Sequence, residues 1–370
     1  MRIHYLLRTA VATVLLVAPA TAVASAQPAP ARTGREIYAA NCASCHGPDG
    51  KGAPQSSVGF TDVELPDFTD CKFTTPEPDP DWAATIHLGG AARAFSHRMP
   101  AFGDAMTDDE IGLAIGHLRT FCTEPRWPRG DLNLPRPLVT EKAFPENESV
   151  MSTTVSPDGD ASVENEFIYE RRLGRRSQYE LIVPFNFQQQ DSSWNRGLGD
   201  VAFALKHVLF DNLASGTIVS AGGEMLFPTG QTETGIGGGK TVGETFAILS
   251  QMLPSDGFLH LHGGLEFPIR NDDPNEGYVR MALGKTFSQN RWGRAWSPMV
   301  EAIGVKELGV GEDPQWDVVP QMQVSLSRRQ HILIDAGVRI PLNERASRKP
   351  TFLMYVLWDW FDGGLLDGWK

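Results

Sequence analysis

The chain has 370 residues, 41% of them hydrophobic and 21% charged, with 45 acidic against 33 basic side chains and a formal net charge of -12. That length accommodates two domains, and the acidic balance argues against nucleic acid as a partner. All four cysteines, Cys42, Cys45, Cys71 and Cys122, fall in the first third and mark it off as chemically distinct.

Arg2 and Arg8 precede an uncharged apolar run from Ala10 to Val23, and Ala24-Ser25-Ala26 closes it with a small-x-small pattern. This predicts a cleaved signal peptide over 1–26; the run is too short to span comfortably as an anchor. Loss of the two arginines takes the net charge to -14. Beyond it lies no stretch of eighteen or more uninterrupted apolar residues, so no transmembrane helix is expected.

Thr33-x-x-Glu36 reads as a capping box opening a helix that leads into Cys42-Ala43-Ser44-Cys45-His46. C-x-x-C-H is the haem attachment pattern: two thiols on one helical turn can each form a thioether to a porphyrin vinyl group, which directs the next imidazole at the iron. A redox dithiol would want a βαβ context, and a zinc site needs two further ligands that do not appear nearby. With Gly47, Gly50 and Gly52 behind His46, and Arg98-Met99-Pro100-Ala101-Phe102 downstream, the segment resembles a class I, mono-haem cytochrome c.

The resemblance implies a small all-α domain over 27–123, one covalent haem c on Cys42 and Cys45, and iron held by His46 and Met99. A thioether opposite a histidine raises the potential relative to two histidines. Met106, His97 and His87 compete with Met99 for the second position, and the alternative role for Met99 is apolar packing. Thr107-x-x-Glu110 then caps a last helix with Ile111, Ala114, Ile115 and Leu118 at helical spacing. In that family the last helix crosses the first, placing Gly34 or Tyr38 against Leu118 or Phe121. Trp82 and Phe102 are candidates for the haem pocket or for ordinary core. In an oxidising compartment the spare Cys71 and Cys122 are expected to pair.

Residues 124–145, with Pro125, Pro128, Pro135, Pro137 and Pro145, read as a stiff, extended linker. Beyond it the period changes to two. Leu259, Leu261, Leu265 and Phe267 alternate with His260, His262 and Glu266; Val318, Met322, Val324 and Leu326 alternate with Asp317, Gln321, Gln323 and Ser325. About twelve antiparallel strands fit into 146–370, with short turns near Gly174, Leu213, Ser255 and Arg329 and long connections elsewhere, as in outer-membrane barrels. Aromatics such as Phe185, Phe210, Phe227, Phe287, Trp358 and Trp360 suit interfacial girdles. This half resembles porin-like outer-membrane barrels through Gly199-Asp200-Val201-Ala202 and Phe227-Pro228-Thr229-Gly230; a soluble sandwich is the competing fold. Glu166, Glu180, Lys206, His260, His262, Glu266, Arg280, Glu301 and Arg339 are expected to line the lumen, where the two histidines form either a metal pair or part of a solvated polar face.

Two axial protein ligands leave no open iron position, so the expected activity is electron transfer by a non-enzymatic carrier, tethered to the outer membrane with its haem in the periplasm. From Ala31 to Glu124 there are 7 basic and 14 acidic residues, which favours a redox partner with a basic face. The alternative makes the barrel the working part, a channel or exporter with the cytochrome as plug, sensor or docking module.

Overall fold

A computed structural model describes residues 32–359 except 125, 158–160, 191, 270–272, 290–292, 310 and 312. The expected signal peptide and Trp360 lie outside the described residues.

The first half is helical. α1 (Gly34–Asn41) and α2 (Ala43–His46) carry the attachment motif, α3 (Gln55–Val58) and α4 (Cys71–Thr74) are single turns, and α5 (Asp79–Leu88) and α6 (Asp108–Arg119) complete the set. Both capping boxes form. The Glu36 amide donates to the Thr33 hydroxyl while the Thr33 amide donates to the Glu36 carboxylate, and Thr107 and Glu110 repeat the exchange. α6 buries Ile111, Ala114, Ile115 and Leu118, the stripe that its spacing predicts.

α1 crosses α6 at Gly34, where an added Cβ would stand 2.1 Å from the Leu113 carbonyl oxygen. One turn on, the Tyr38 ring packs edge-on against Phe121 with centroids 5.2 Å apart. Gly34→Val therefore forces the helices apart, and overpacking of this kind costs roughly 1–3 kcal/mol. Thermal unfolding followed by helical circular dichroism in the haem-loaded chain is expected to show a lower midpoint than Gly34→Ala, itself below the parent. Cys71 and Cys122 form a disulfide, as expected, tying α4 to the end of α6.

The second half is a closed antiparallel barrel. Twelve long strands form the wall: β1 (Glu148–Ser156), β2 (Ser162–Leu173), β3 (Ser177–Gln190), β5 (Val201–Asn212), β6 (Thr217–Phe227), β7 (Thr241–Leu253), β8 (Gly257–Ile269), β9 (Glu276–Lys285), β11 (Ala295–Glu307), β12 (Gln315–Ser325), β13 (Ile332–Pro341) and β14 (Thr351–Asp359). Two short ones, β4 (Ser193–Leu198) and β10 (Phe287–Ser288), fold back on β3 and β11. β14 pairs with β1 and β11 with β9, so the wall has no free edge. The turns near Gly174, Leu213, Ser255 and Arg329 lie at one end, and the connections after Gln190, Phe227, Ile269 and Pro341 at the other.

The two faces of the wall are inverted relative to a soluble protein. Leu205, Leu209, Val279, Leu283, Phe352 and Met354 are exposed, whereas Glu170, Gln178, Ser220, His260, Glu301 and Asp335 are fully buried inside. A soluble sandwich would bury the first set and expose the second. The exposed set instead includes Phe185 within β3 and Phe210, Phe227 and Phe287 at or near strand ends.

The stretch expected as a stiff linker is extended, but its second part does not bridge two separate bodies. From Gly130 to Glu146 it enters the barrel and fills the short-turn half of the lumen. The amides of Leu138, Val139, Thr140, Ala143 and Glu146 donate to Gln321, Glu301, Glu301, Ser250 and Gln178 at 2.6–3.1 Å. Prolines prevent the segment from pairing with itself, so its backbone groups find partners on the wall. Leu132, Ala143 and Phe144 pack with Val208, Ile218 and Ile248 into an apolar floor near the short-turn end.

Candidate functional site

The helical domain rests on the short-turn rim. There the Arg329 guanidinium lies 4.1 Å from the Phe95 ring centroid and donates to the Ala94 carbonyl, while His331 stands between Glu77 and Asp359 at 3.5 and 2.9 Å. Against the effect of burial, His331 together with Arg93 and Arg119 holds Glu77 below the usual carboxylate range, and Asp359 and then Glu77 lift His331 well above its ordinary value.

Within this domain Cys42, at the junction of α1 and α2, and Cys45, in α2, are free thiols, while the other two cysteines are bonded to each other. Burial lifts the Cys42 thiol to about 11 and pushes His46 down to about 4. His46 is thus neutral at pH 7, the form in which imidazole binds a metal. Its Nδ1 is buried without a hydrogen-bond partner among the described residues. The Tyr38 hydroxyl donates to the Gly47 carbonyl at 2.8 Å and fixes the turn behind the motif. Gly50 has φ of 78°, and a Cβ there would come 2.6 Å from the Phe121 ring. The loop can therefore stay flat against the helices.

Phe68 lies 5.0 Å from the His46 ring and 5.6 Å from Trp82, by centroids. Met99, Trp82 and Phe102 are partly buried against Ile37, Ile86, Met106 and Ile111. The Met99 loop is pinned on both sides: the Gly90 amide donates to the Met99 carbonyl at 3.1 Å and the Phe102 amide to the Ile86 carbonyl at 3.0 Å. Of the competing ligands, Met106 is only 5% exposed inside that cluster and His97 is exposed to solvent. A thiol pair beside a neutral, buried imidazole fits a covalently held haem c, and the partly buried Met99 thioether has the chemistry of a second axial ligand.

The expected lumen residues do face inward. Glu166, Glu180, Lys206, His262, Glu266, Arg280 and Arg339 line a cavity of about 390 Å³ above the plug. Glu301 receives plug amides, and His260 Nε2 lies 3.0 Å from the Pro135 carbonyl. His262 contacts the Tyr278 hydroxyl at 2.9 Å. The two histidines thus serve the plug and the wall; they do not converge as a metal pair.

Sequence reasoning missed an acidic row interrupted once, at Ala204. Glu307, Glu276, Glu266, Glu244 and Glu224 are direct cross-strand partners on β11, β9, β8, β7 and β6. After Ala204 the row resumes with Glu180, Glu170 and Glu148 and ends at Asp359. Perpendicular to tilted strands, such a row winds around the barrel from the long-loop mouth to the short-turn end. Directly opposed like charges are destabilising unless cations intervene. Arg136 supplies one, contacting Glu141, Glu148 and Glu170.

Residues 29–118 match the family described as cytochrome c oxidase, cbb3-type, subunit III. Over these residues the helical domain matches a cytochrome c domain, which suggests haem-based electron transfer. No curated protein matches the chain in sequence. Among solved structures, the chain is similar to a KdgM porin bound to disordered oligogalacturonate (10% identity, TM-score 0.39, 58% of this chain and 99% of the porin). It is also similar to an outer membrane channel from Pseudomonas putida F1 (13% identity, TM-score 0.43, 60% of this chain and 99% of the channel).

Proposed function

We propose that the chain is a mono-haem electron carrier built into the outer membrane, with its haem domain in the periplasm. One observation carries this reading: the helical domain, with its free Cys42 and Cys45 beside His46, is seated on the short-turn rim of a barrel whose outer face is apolar. Outer-membrane barrels keep short turns on the periplasmic side. Cys42 and Cys45 would hold the haem covalently, and His46 and Met99 would complete the iron coordination. Bound there, the haem supplies reversible one-electron exchange.

The chain's own residues set the conditions. Phe68, Trp82 and Phe102 keep water from the pocket, and Tyr38 and the Gly90 amide hold the two ligand-bearing segments in place. With both axial positions taken by protein, no substrate reaches the iron, so the chain acts as a carrier and not as an enzyme. Exposed Asp104, Asp108 and Asp109 flank the Met99 loop. They suit a redox partner with a basic face, whose docking weakens with salt. A passive channel is disfavoured by the plug, which fills the short-turn half of the lumen.

Expression with a cytochrome maturation system tests the reading. The outer-membrane fraction should contain a haem-staining band that shifts on heating, with a reducible Met/His spectrum. A colourless band, or a haem-loaded chain in the soluble fraction, defeats it.

A further inference from the structure

Glu180 is the most deeply placed member of the cavity-lining row that has no cation in contact among the described residues. It is only 9% exposed, lines the cavity above the plug, and makes no side-chain hydrogen bond or ion pair among the described residues. Its cross-strand partner Glu170 accepts from Arg136 and from Gln178. Glu141 of the plug reaches the same spot, and one carboxylate oxygen from each of Glu141, Glu170 and Glu180 lies within 4.8 Å of the others. Around them Glu146 and Glu148 add two more carboxylates, against Arg136, Lys142 and Lys206 as cations.

We propose that Glu141, Glu170 and Glu180 bind a single large, hard divalent cation of the Ca²⁺ type, which fastens the plug to β2 and β3. Ca²⁺ takes oxygen ligands at about 2.3–2.6 Å in flexible geometry, which suits a site shared between a plug segment and two strands, whereas Mg²⁺ demands near-ideal octahedral geometry at about 2.0–2.1 Å. An all-carboxylate set also disfavours zinc and copper, which select nitrogen and sulfur. The route in is the row itself: Glu266, Glu244 and Glu224 lead down the cavity wall from the long-loop mouth. The site does not depend on haem, so its failure and that of the carrier reading are separate outcomes.

The test uses the full-length, haem-loaded chain in detergent, stripped with chelator and dialysed against radioactive Ca²⁺. One Ca²⁺ per chain is expected, saturating by about 1 mM, the range of extracellular oxygen-ligand sites. Glu180→Gln should weaken binding at least about tenfold, because affinity follows ligand charge. Glu276→Gln, on the row but outside the site, should leave it unchanged, and the heat-dependent gel shift verifies that both variants are folded. Absence of Ca²⁺ binding by the parent, parent-like binding by a folded Glu180→Gln chain, or equal losses in the two variants would each overturn the site.

Discussion

Met99→Ala is expected to leave the haem attached while abolishing the methionine-to-iron absorption band and lowering the potential by a sizeable part of the roughly 0.8 V over which axial ligands tune haem iron. Attachment survives because Cys42, Cys45 and His46 sit on α1 and α2, which Tyr38 and the Thr33 capping box hold independently of the Met99 loop. Met106→Ala is the matched control. Its side chain lies inside the cluster of Ile37, Ile86 and Ile111, so truncation should cost about 2–5 kcal/mol of stability and leave the spectrum and potential as they were. Optical spectra and redox titration of the two variants decide between them. If Met106→Ala loses the band and Met99→Ala keeps it, the ligand assignment is wrong.

What could be read in the sequence was local. The capping boxes at Thr33 and Thr107, the stripe on α6, the C-x-x-C-H spacing and the two-residue alternation of the strands each depend on residues a few positions apart. The inward direction of Lys206, His260 or Glu301 followed from the same alternation. Two features were hidden because their partners are remote. Prolines announce an extended segment but not what will cover it, and the amide of Leu138 finds Gln321, 183 residues away. Each glutamate of the row reads as inward on its own strand. That Glu224, Glu244 and Glu266 are neighbours depends on register, which turn geometry sets and composition does not reveal. β4 escaped notice for a related reason: Ser193–Leu198 lacks apolar alternation and pairs only with the far end of β3.

Replacing Leu132–Phe144 with a Gly/Ser chain of equal length is expected to turn a silent barrel into a conducting one. The replacement removes the buried side chains of Leu132 and Phe144, each contributing about 1.5–3 kcal/mol. It also removes Arg136 and Lys142, which pair with Glu146, Glu148 and Glu170 inside the lumen. A Gly/Ser chain has nothing to offer those carboxylates, whereas water does, so the segment should leave and water should enter. An apolar interior would collapse under this change. This one is lined by Gln178, Ser220, Ser250, Glu301 and Gln321, which water can satisfy, and the interstrand hydrogen bonds close on themselves without the plug. Planar-bilayer recordings should show no current for the parent and discrete, cation-selective steps for the variant, the selectivity following from the excess of carboxylates along the row. Equal currents in both would mean that the plug does not seal the lumen, and silence in both would place the seal in the wall's own side chains.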